Sequence, residues 1–147
     1  MLCYMDTSAI AKKYLEESGA LQVEEYFAQS EGVFTTALTR LELASLIERA
    51  KRSARINSPM YHRIVAAVEA DYRLQIITLL AINEGILALA RRLIIQRRLR
   101  VQDAIQLATA IVTNRSLHGG EVQFVCADHA LLGAARLEGL RCRDVSK

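Results

Sequence analysis

Apolar positions along the chain change their period repeatedly, and each change marks a candidate element. Leu2-Cys3-Tyr4-Met5 is a short apolar run halted by Asp6-Thr7-Ser8, which predicts a buried strand entering a helix through a cap. Helical spacing continues through Ile10, Tyr14 and Leu15 to a stop at Gly19, and a second helix is expected from about Ala20 to Gln29. Gly32 turns the chain into the β-branched and aromatic run Val33-Phe34-Thr35-Thr36. From about Thr39 to Arg52, Leu43, Leu46, Ile47 and Ala50 form one helical stripe. Ser58-Pro59 reads as a cap with proline at the first helical position, opening a helix that carries Ile64, Val65, Val68 and Tyr72.

Leu74 to Leu79 is β-branched enough for a third strand. Helices are expected from about Asn83 to Arg98 and from Gln102 to Asn114, the latter nearly apolar all round and therefore buried. Glu121 to Ala127 predicts a fourth strand, Ala130 to Leu137 a helix, and Arg141 to Val145 a last strand after Gly139. Strands without polar alternation, joined by crossovers long enough for helices, argue for a parallel sheet covered on both faces. The expected fold class is α/β: a three-layer α/β/α domain with a mostly parallel central sheet of about five strands.

At 147 residues the chain is expected to be one domain, 1–147. Charged residues break every apolar run before the ~18 positions a membrane helix needs. The N-terminus lacks the basic-then-apolar layout of a signal peptide, so a soluble cytoplasmic protein is expected. Net charge is only +3, but 15 of the 19 basic residues are Arg, since Lys occurs only at 12, 13, 51 and 147. Arginine suits phosphate recognition and ordinary helix surfaces alike. Cys3, Cys126 and Cys142 are odd in number and show no CxxC spacing, so they read as small buried residues.

The placement of a few carboxylates changes the picture. Asp6 directly follows the first strand and Asp128 the fourth. In a parallel sheet the strand C-termini share one edge, where ligand sites form at a switch in strand order. Each aspartate also suits the cap of the helix that follows it. Asp103 opens an almost wholly apolar helix, where an enclosed charge needs a partner. Glu42 sits between Leu41 and Leu43, and alone it reads as an exposed helix carboxylate. Four carboxylates brought to one edge would repel one another and a phosphate unless protonated or neutralised by cations. Mg²⁺ and Mn²⁺ favour such oxygen ligands, and a carboxylate-held metal can activate water for phosphodiester cleavage.

Four stretches carry a resemblance. Asp6-Thr7-Ser8-Ala9-Ile10, Leu38-Thr39-Arg40-Leu41-Glu42-Leu43-Ala44-Ser45, Asp103-Ala104-Ile105-Gln106-Leu107-Ala108-Thr109-Ala110 and Phe124-Val125-Cys126-Ala127-Asp128 resemble, in order, the motifs of PIN-domain nucleases. The chain looks closest to the VapC-type toxins of toxin–antitoxin pairs. The resemblance implies an acidic quartet, Asp6, Glu42, Asp103 and Asp128, that binds Mg²⁺ or Mn²⁺, with the Ser8 hydroxyl supporting the carboxylates. It also implies endonucleolytic cleavage of RNA such as tRNA or ribosomal RNA, a small antitoxin partner and a homodimer. Cys126 stands where relatives commonly have Thr, and the chain ends Arg143-Asp144-Val145-Ser146-Lys147 rather than in an Asn-Pro-like segment.

Arg91, Arg92, Arg97 and Arg98, with Arg100, form the densest basic stretch and are candidate RNA contacts. No aromatic residue interleaves there, so a solvated helix face fits equally. Arg49, Lys51, Arg52 and Arg55 share that ambiguity. His62 and His118 are expected at the surface, whereas His129 is a candidate near Asp128. Tyr14, Tyr26, Phe27, Leu43, Leu46 and Ile47 suit a core or an apolar docking patch. Two other readings remain: a catalytically weak PIN-fold module that binds RNA or protein, and a phosphatase- or receiver-like domain using Asp6 as covalent acceptor. Against the latter, Asp6-Thr7-Ser8 lacks a second Asp two residues on.

Overall fold

Alternating side-chain directions along a strand sort the core into two layers. In β1 (Leu2–Met5), Cys3 and Met5 enter one apolar cluster while Tyr4 enters the other. In β4 (Val122–Cys126), Val125 joins Cys3 and Met5, while Val122, Phe124 and Cys126 join Tyr4. Both strands are buried almost throughout, which explains why they read as unbroken apolar runs. The computed structural model describes residues 1–117 and 121–147; His118 lies outside them.

The remaining strands are β2 (Gly32–Thr36), β3 (Ile77–Leu80) and β5 (Arg141–Asp144). All pairings are parallel, in the order β3-β2-β1-β4-β5. One face is covered by α1 (Thr7–Tyr14), α2 (Ala20–Gln29), α3 (Leu38–Arg52) and α4 (Ser58–Arg73). The other is covered by α5 (Glu84–Arg97), α6 (Val101–Ser116) and α7 (His129–Leu137). The three-layer parallel α/β/α architecture agrees with the sequence expectation. No helix among the described residues is long and apolar enough to cross a membrane.

The order of strands positions the site. The chain builds outward from β1 through β2 to β3, then returns to the opposite side of β1 to lay down β4 and β5. The direction of winding therefore reverses between β1 and β4, which pair from Leu2↔Val122 to Met5↔Val125. At such a reversal the crossovers leave on opposite sides and a crevice opens beyond the strand ends. Asp6 and Asp128 stand at its two lips.

Two local expectations need correction. The cap of α4 is Asn57, whose side chain accepts from the Met60 N–H, so Ser58 is already helical and Pro59 lies second in the helix. A proline is tolerated there because first-turn N–H groups have no helical partner. The third strand begins at Ile77 rather than Leu74. Leu74 ends α4, Gln75 turns the chain at φ 57°, and Leu74 and Ile76 are left exposed. Local β-propensity is overruled here by the continuing α4 ladder. Of the aromatic and aliphatic residues with two readings, Leu43 and Ile47 are core, while Tyr14, Tyr26, Phe27 and Leu46 pack partly buried against it.

Candidate active site

Asp6 is the first residue past β1, and its carboxylate caps α1 by accepting from the Ala9 N–H at 3.1 Å. The cap holds the side chain against its own helix, where only 5% of the residue is exposed. The Ser8 hydroxyl reaches back to both carboxylate oxygens at 2.8 Å, and itself accepts from the Ala127 N–H beyond β4 at 3.0 Å. Ser8 thus ties the end of β1 to the end of β4. Burial pushes the Asp6 carboxyl up to about 6, against the lowering effect of its Ser8 and Ala9 hydrogen bonds. Ser8→Ala leaves the Ala127 N–H without its acceptor and Asp6 without its hydroxyl, and should cost about 1–3 kcal/mol of stability. A denaturant-unfolding midpoint equal to wild type would contradict this role.

Asp128 likewise caps α7, accepting from the Leu131 N–H at 2.9 Å. Its own N–H points to Cys126 Sγ at 3.2 Å, so the thiol takes the contact that a hydroxyl would make. Burial raises the Cys126 thiol, as do the Asp6 charge and hydrogen bond; it stays neutral. Asp6 and Asp128 are thus both helix caps, and both line the same cleft.

Asp103, in the first turn of α6, receives Arg100 Nε at 3.2 Å. Burial raises its carboxyl, Arg100 opposes that, and the negative charge of Asp128 raises it further. Glu42 enters from α3 on the opposite layer. Its Oε1 accepts from the Thr7 hydroxyl at 3.0 Å and from Gln106 Nε2 at 2.9 Å. All four carboxylates, with Thr7, Ser8 and Gln106, line one cleft of about 630 Å³.

The residues holding Glu42 were not singled out from sequence. The Thr36 N–H donates to Tyr4 Oη at 3.1 Å, so the Tyr4 hydroxyl directs its own proton to Gln106 Oε1 at 2.8 Å. That contact sets the Gln106 amide with its NH₂ towards Glu42, Thr7 and Thr39. Thr39 in turn shares a hydrogen bond with Thr35 at 2.7 Å. A signal was available: Gln106 lies three positions after Asp103, and Thr39 three before Glu42, so each pair shares a helix face.

None of the four arginines proposed from sequence, three in α5 and Arg98 just past it, lines this cleft; Arg49 and Arg100 do. Arg92 and Arg97 both bind Glu138 at the end of α7, with contacts of 3.1–3.2 Å, and pull its carboxyl below the usual range. Arg91 and Arg98 are exposed. Glu138→Ala should cost only about 1 kcal/mol, because the two arginines it holds stay partly solvated; denaturant unfolding reads this. His129 is exposed and bonded to Asp144 and Ser146 rather than aimed into the cleft.

Every acidic or hydroxylic donor in the cleft presents oxygen, and among the described residues no Cys or His lines it. That donor set suits a hard divalent cation. Among the described residues, no three His, Cys, Asp or Glu side chains stand close enough to hold an ion between them. The carboxylates share the cleft as separate walls.

A family model described as "PIN domain" matches residues 3–118. The chain is also 30% identical over 142 residues to Ribonuclease VapC47 of Mycobacterium tuberculosis (strain CDC 1551 / Oshkosh), covering 94% of this chain and 93% of that protein. The crystal structure of PAE2754 from Pyrobaculum aerophilum superposes with a TM-score of 0.61 at 16% identity, covering 99% of this chain and 93% of that one. At that identity the likeness speaks to fold. With residues 3–118 matched by that model and a relative 30% identical over 94% of its length, the chain belongs to the PIN-domain family.

Proposed function

We propose that the protein is a metal-dependent endoribonuclease, the toxin of a toxin–antitoxin pair. The observation that carries this reading is the convergence of Asp6, Glu42, Asp103 and Asp128, from four separate elements, on one cleft at the sheet's switch point. Similarity to Ribonuclease VapC47 supports the substrate class. It also motivates a small antitoxin and a second copy of this chain as partners, in the cytoplasm.

Asp6, Asp103 and Glu42 would hold Mg²⁺ or Mn²⁺ partly through the ion's own waters, with Asp128 direct or through water, since Mg²⁺ keeps several waters and commonly takes only one or two carboxylates directly. When bound, the metal supplies an activated water and charge neutralisation for phosphodiester hydrolysis. The protein's own part is placement. Ser8 and the α1 cap fix Asp6, while Thr7 and Gln106 engage one oxygen of Glu42. Arg49 and Arg100 stand at the rim, where a guanidinium meets a phosphate that the carboxylates alone would repel.

The test is incubation of purified protein with total cellular RNA in Mn²⁺ or Mg²⁺ and again in EDTA, with the ends mapped by sequencing. Discrete cuts that disappear in EDTA are expected. Inactivity in a preparation shown by mass spectrometry to be free of antitoxin would favour the binding-module reading instead.

A further inference from the structure

The cleft does not end at its carboxylates. Leu46 and Arg49 also line a second trough of about 630 Å³ along the last turns of α3, together with Leu15, Glu17, Arg52 and Arg55. Arg49 and Arg52 are three positions apart on the helix, about 4.5 Å along its axis. Arg55 follows where Ala54, at φ 60°, turns the chain out of the helix. Neither Arg49 nor Arg52 makes an ion pair among the described residues. Glu17, the one carboxylate in the trough, is shared between Arg55 at 3.7 Å and Lys12 at 3.6 Å. Arg49 and Arg52 are therefore exposed and unpaired, and Arg55 is exposed and held only loosely by Glu17, beside a cleft lined with acids.

We propose that this trough binds the phosphodiester backbone of the RNA strand flanking the bond to be cut, with Arg49 at the junction. The inference rests on the ribonuclease reading of the adjoining cleft. An acidic cleft repels a polyanion, so affinity must come from cations beside it. This trough is the place where unpaired arginines adjoin the cleft, whereas Arg92 and Arg97 are already held by Glu138. No aromatic side chain lines the trough, so it contacts phosphates rather than stacking bases. It contributes affinity without choosing sequence.

The experiment measures binding of a fluorescein-labelled, mixed-sequence RNA of about 12 nucleotides to the full chain in EDTA, across roughly 50–300 mM salt. Four proteins are compared: wild type, Arg49→Ala/Arg52→Ala/Arg55→Ala, the same three positions changed to Lys, and Arg91→Ala/Arg98→Ala. The triple alanine variant should lose at least about tenfold in affinity, and its salt slope should fall by about 2, at ~0.7 per lost single-strand contact. The lysine variant, which keeps charge and fold, should retain most of the binding, and the α5 variant should stay within about twofold of wild type. Wild-type binding by the triple alanine variant, or equal losses in it and the α5 variant, overturns the proposal. So does displacement of the RNA by a poly-glutamate peptide that binds more tightly, which would assign the trough to an acidic polypeptide. Cleavage in Mn²⁺ is read separately. Binding through the trough without cleavage leaves this site standing and overturns the ribonuclease reading; cleavage with unimpaired binding by the triple alanine variant overturns the trough alone.

Discussion

Asp6→Asn is expected to abolish RNA cleavage and, in the same molecule, to raise thermal stability at neutral pH. The first effect follows from Asp6 standing at the junction of β1 and β4 with its carboxylate in the cleft; a fall of at least about a thousandfold is expected for a group acting with its neighbours as one unit. The second follows from burial. The Asp6 carboxyl rises from 3.8 to about 6 on folding, so between those values the folded protein keeps a proton that the unfolded chain has released. Wild-type stability therefore falls as pH rises through that window, and above about 6 the charged group costs about 3 kcal/mol. Asn resembles the protonated form and keeps the cap to Ala9, but gives up the charge-assisted bond from Ser8. A net gain of about 2 kcal/mol remains, or roughly 4–8 °C in Tm at pH 8 in EDTA. The advantage should vanish below pH 4. A variant that melts below wild type at pH 8, or whose advantage ignores pH, would show that burial is not what sets this carboxyl.

Gln106→Leu should cost about 2–4 kcal/mol and lower cleavage by 10–100-fold, although Gln106 carries no charge and has no reactive group. Its Oε1 takes the Tyr4 hydroxyl proton, and its NH₂ meets Glu42 Oε1. Leucine of similar volume leaves the Tyr4 hydroxyl without an acceptor in a fully buried site and removes one of two donors to Glu42. Tyr4→Phe is the informative companion. It keeps the amide but leaves the Thr36 N–H and Gln106 Oε1 unpaired, so the amide loses the bond that anchors its oxygen and its NH₂ is held less firmly on Glu42. Both variants should bind Mn²⁺ more weakly by calorimetric titration. Unaltered Mn²⁺ binding in Tyr4→Phe would mean that the amide is held by Thr7 and Thr39 alone.

Much of the fold was legible because the informative patterns are local. Short apolar runs ended by Asp, Thr or Gly locate β1, β2 and β4, and the unbroken apolar faces of β1 and β4 fit strands buried on both sides. The start of β3 was misplaced because Leu74 and Ile76 have strand-like side chains, yet the backbone there still closes and caps α4. No local signal distinguishes those two demands on an apolar residue. The Asn57 cap was missed by one position for a related reason, since Asn and Ser both cap well and only the bond to Met60 separates them.

The site was half legible. Its carboxylates stand out because acids next to strand ends or inside apolar helices need an explanation. Their supports do not, because Tyr4 and Thr39 look like core residues until a partner 102 residues away is known to meet Tyr4. The arginines in and just after α5 show the converse: clustering in sequence suggested polyanion contacts, whereas Arg92 and Arg97 are spent on Glu138, 46 and 41 positions on.

The order of elements, the parallel sheet and the identity of the acids were thus determined by the sequence itself, because hydrophobic period, capping and charge are properties of neighbouring residues. Tertiary structure alone decided which strand ends face each other, which way the Gln106 amide points and which arginines remain free. Those depend on strand order and on pairing across the fold, where the partner's identity, and not the residue's own chemistry, selects the outcome.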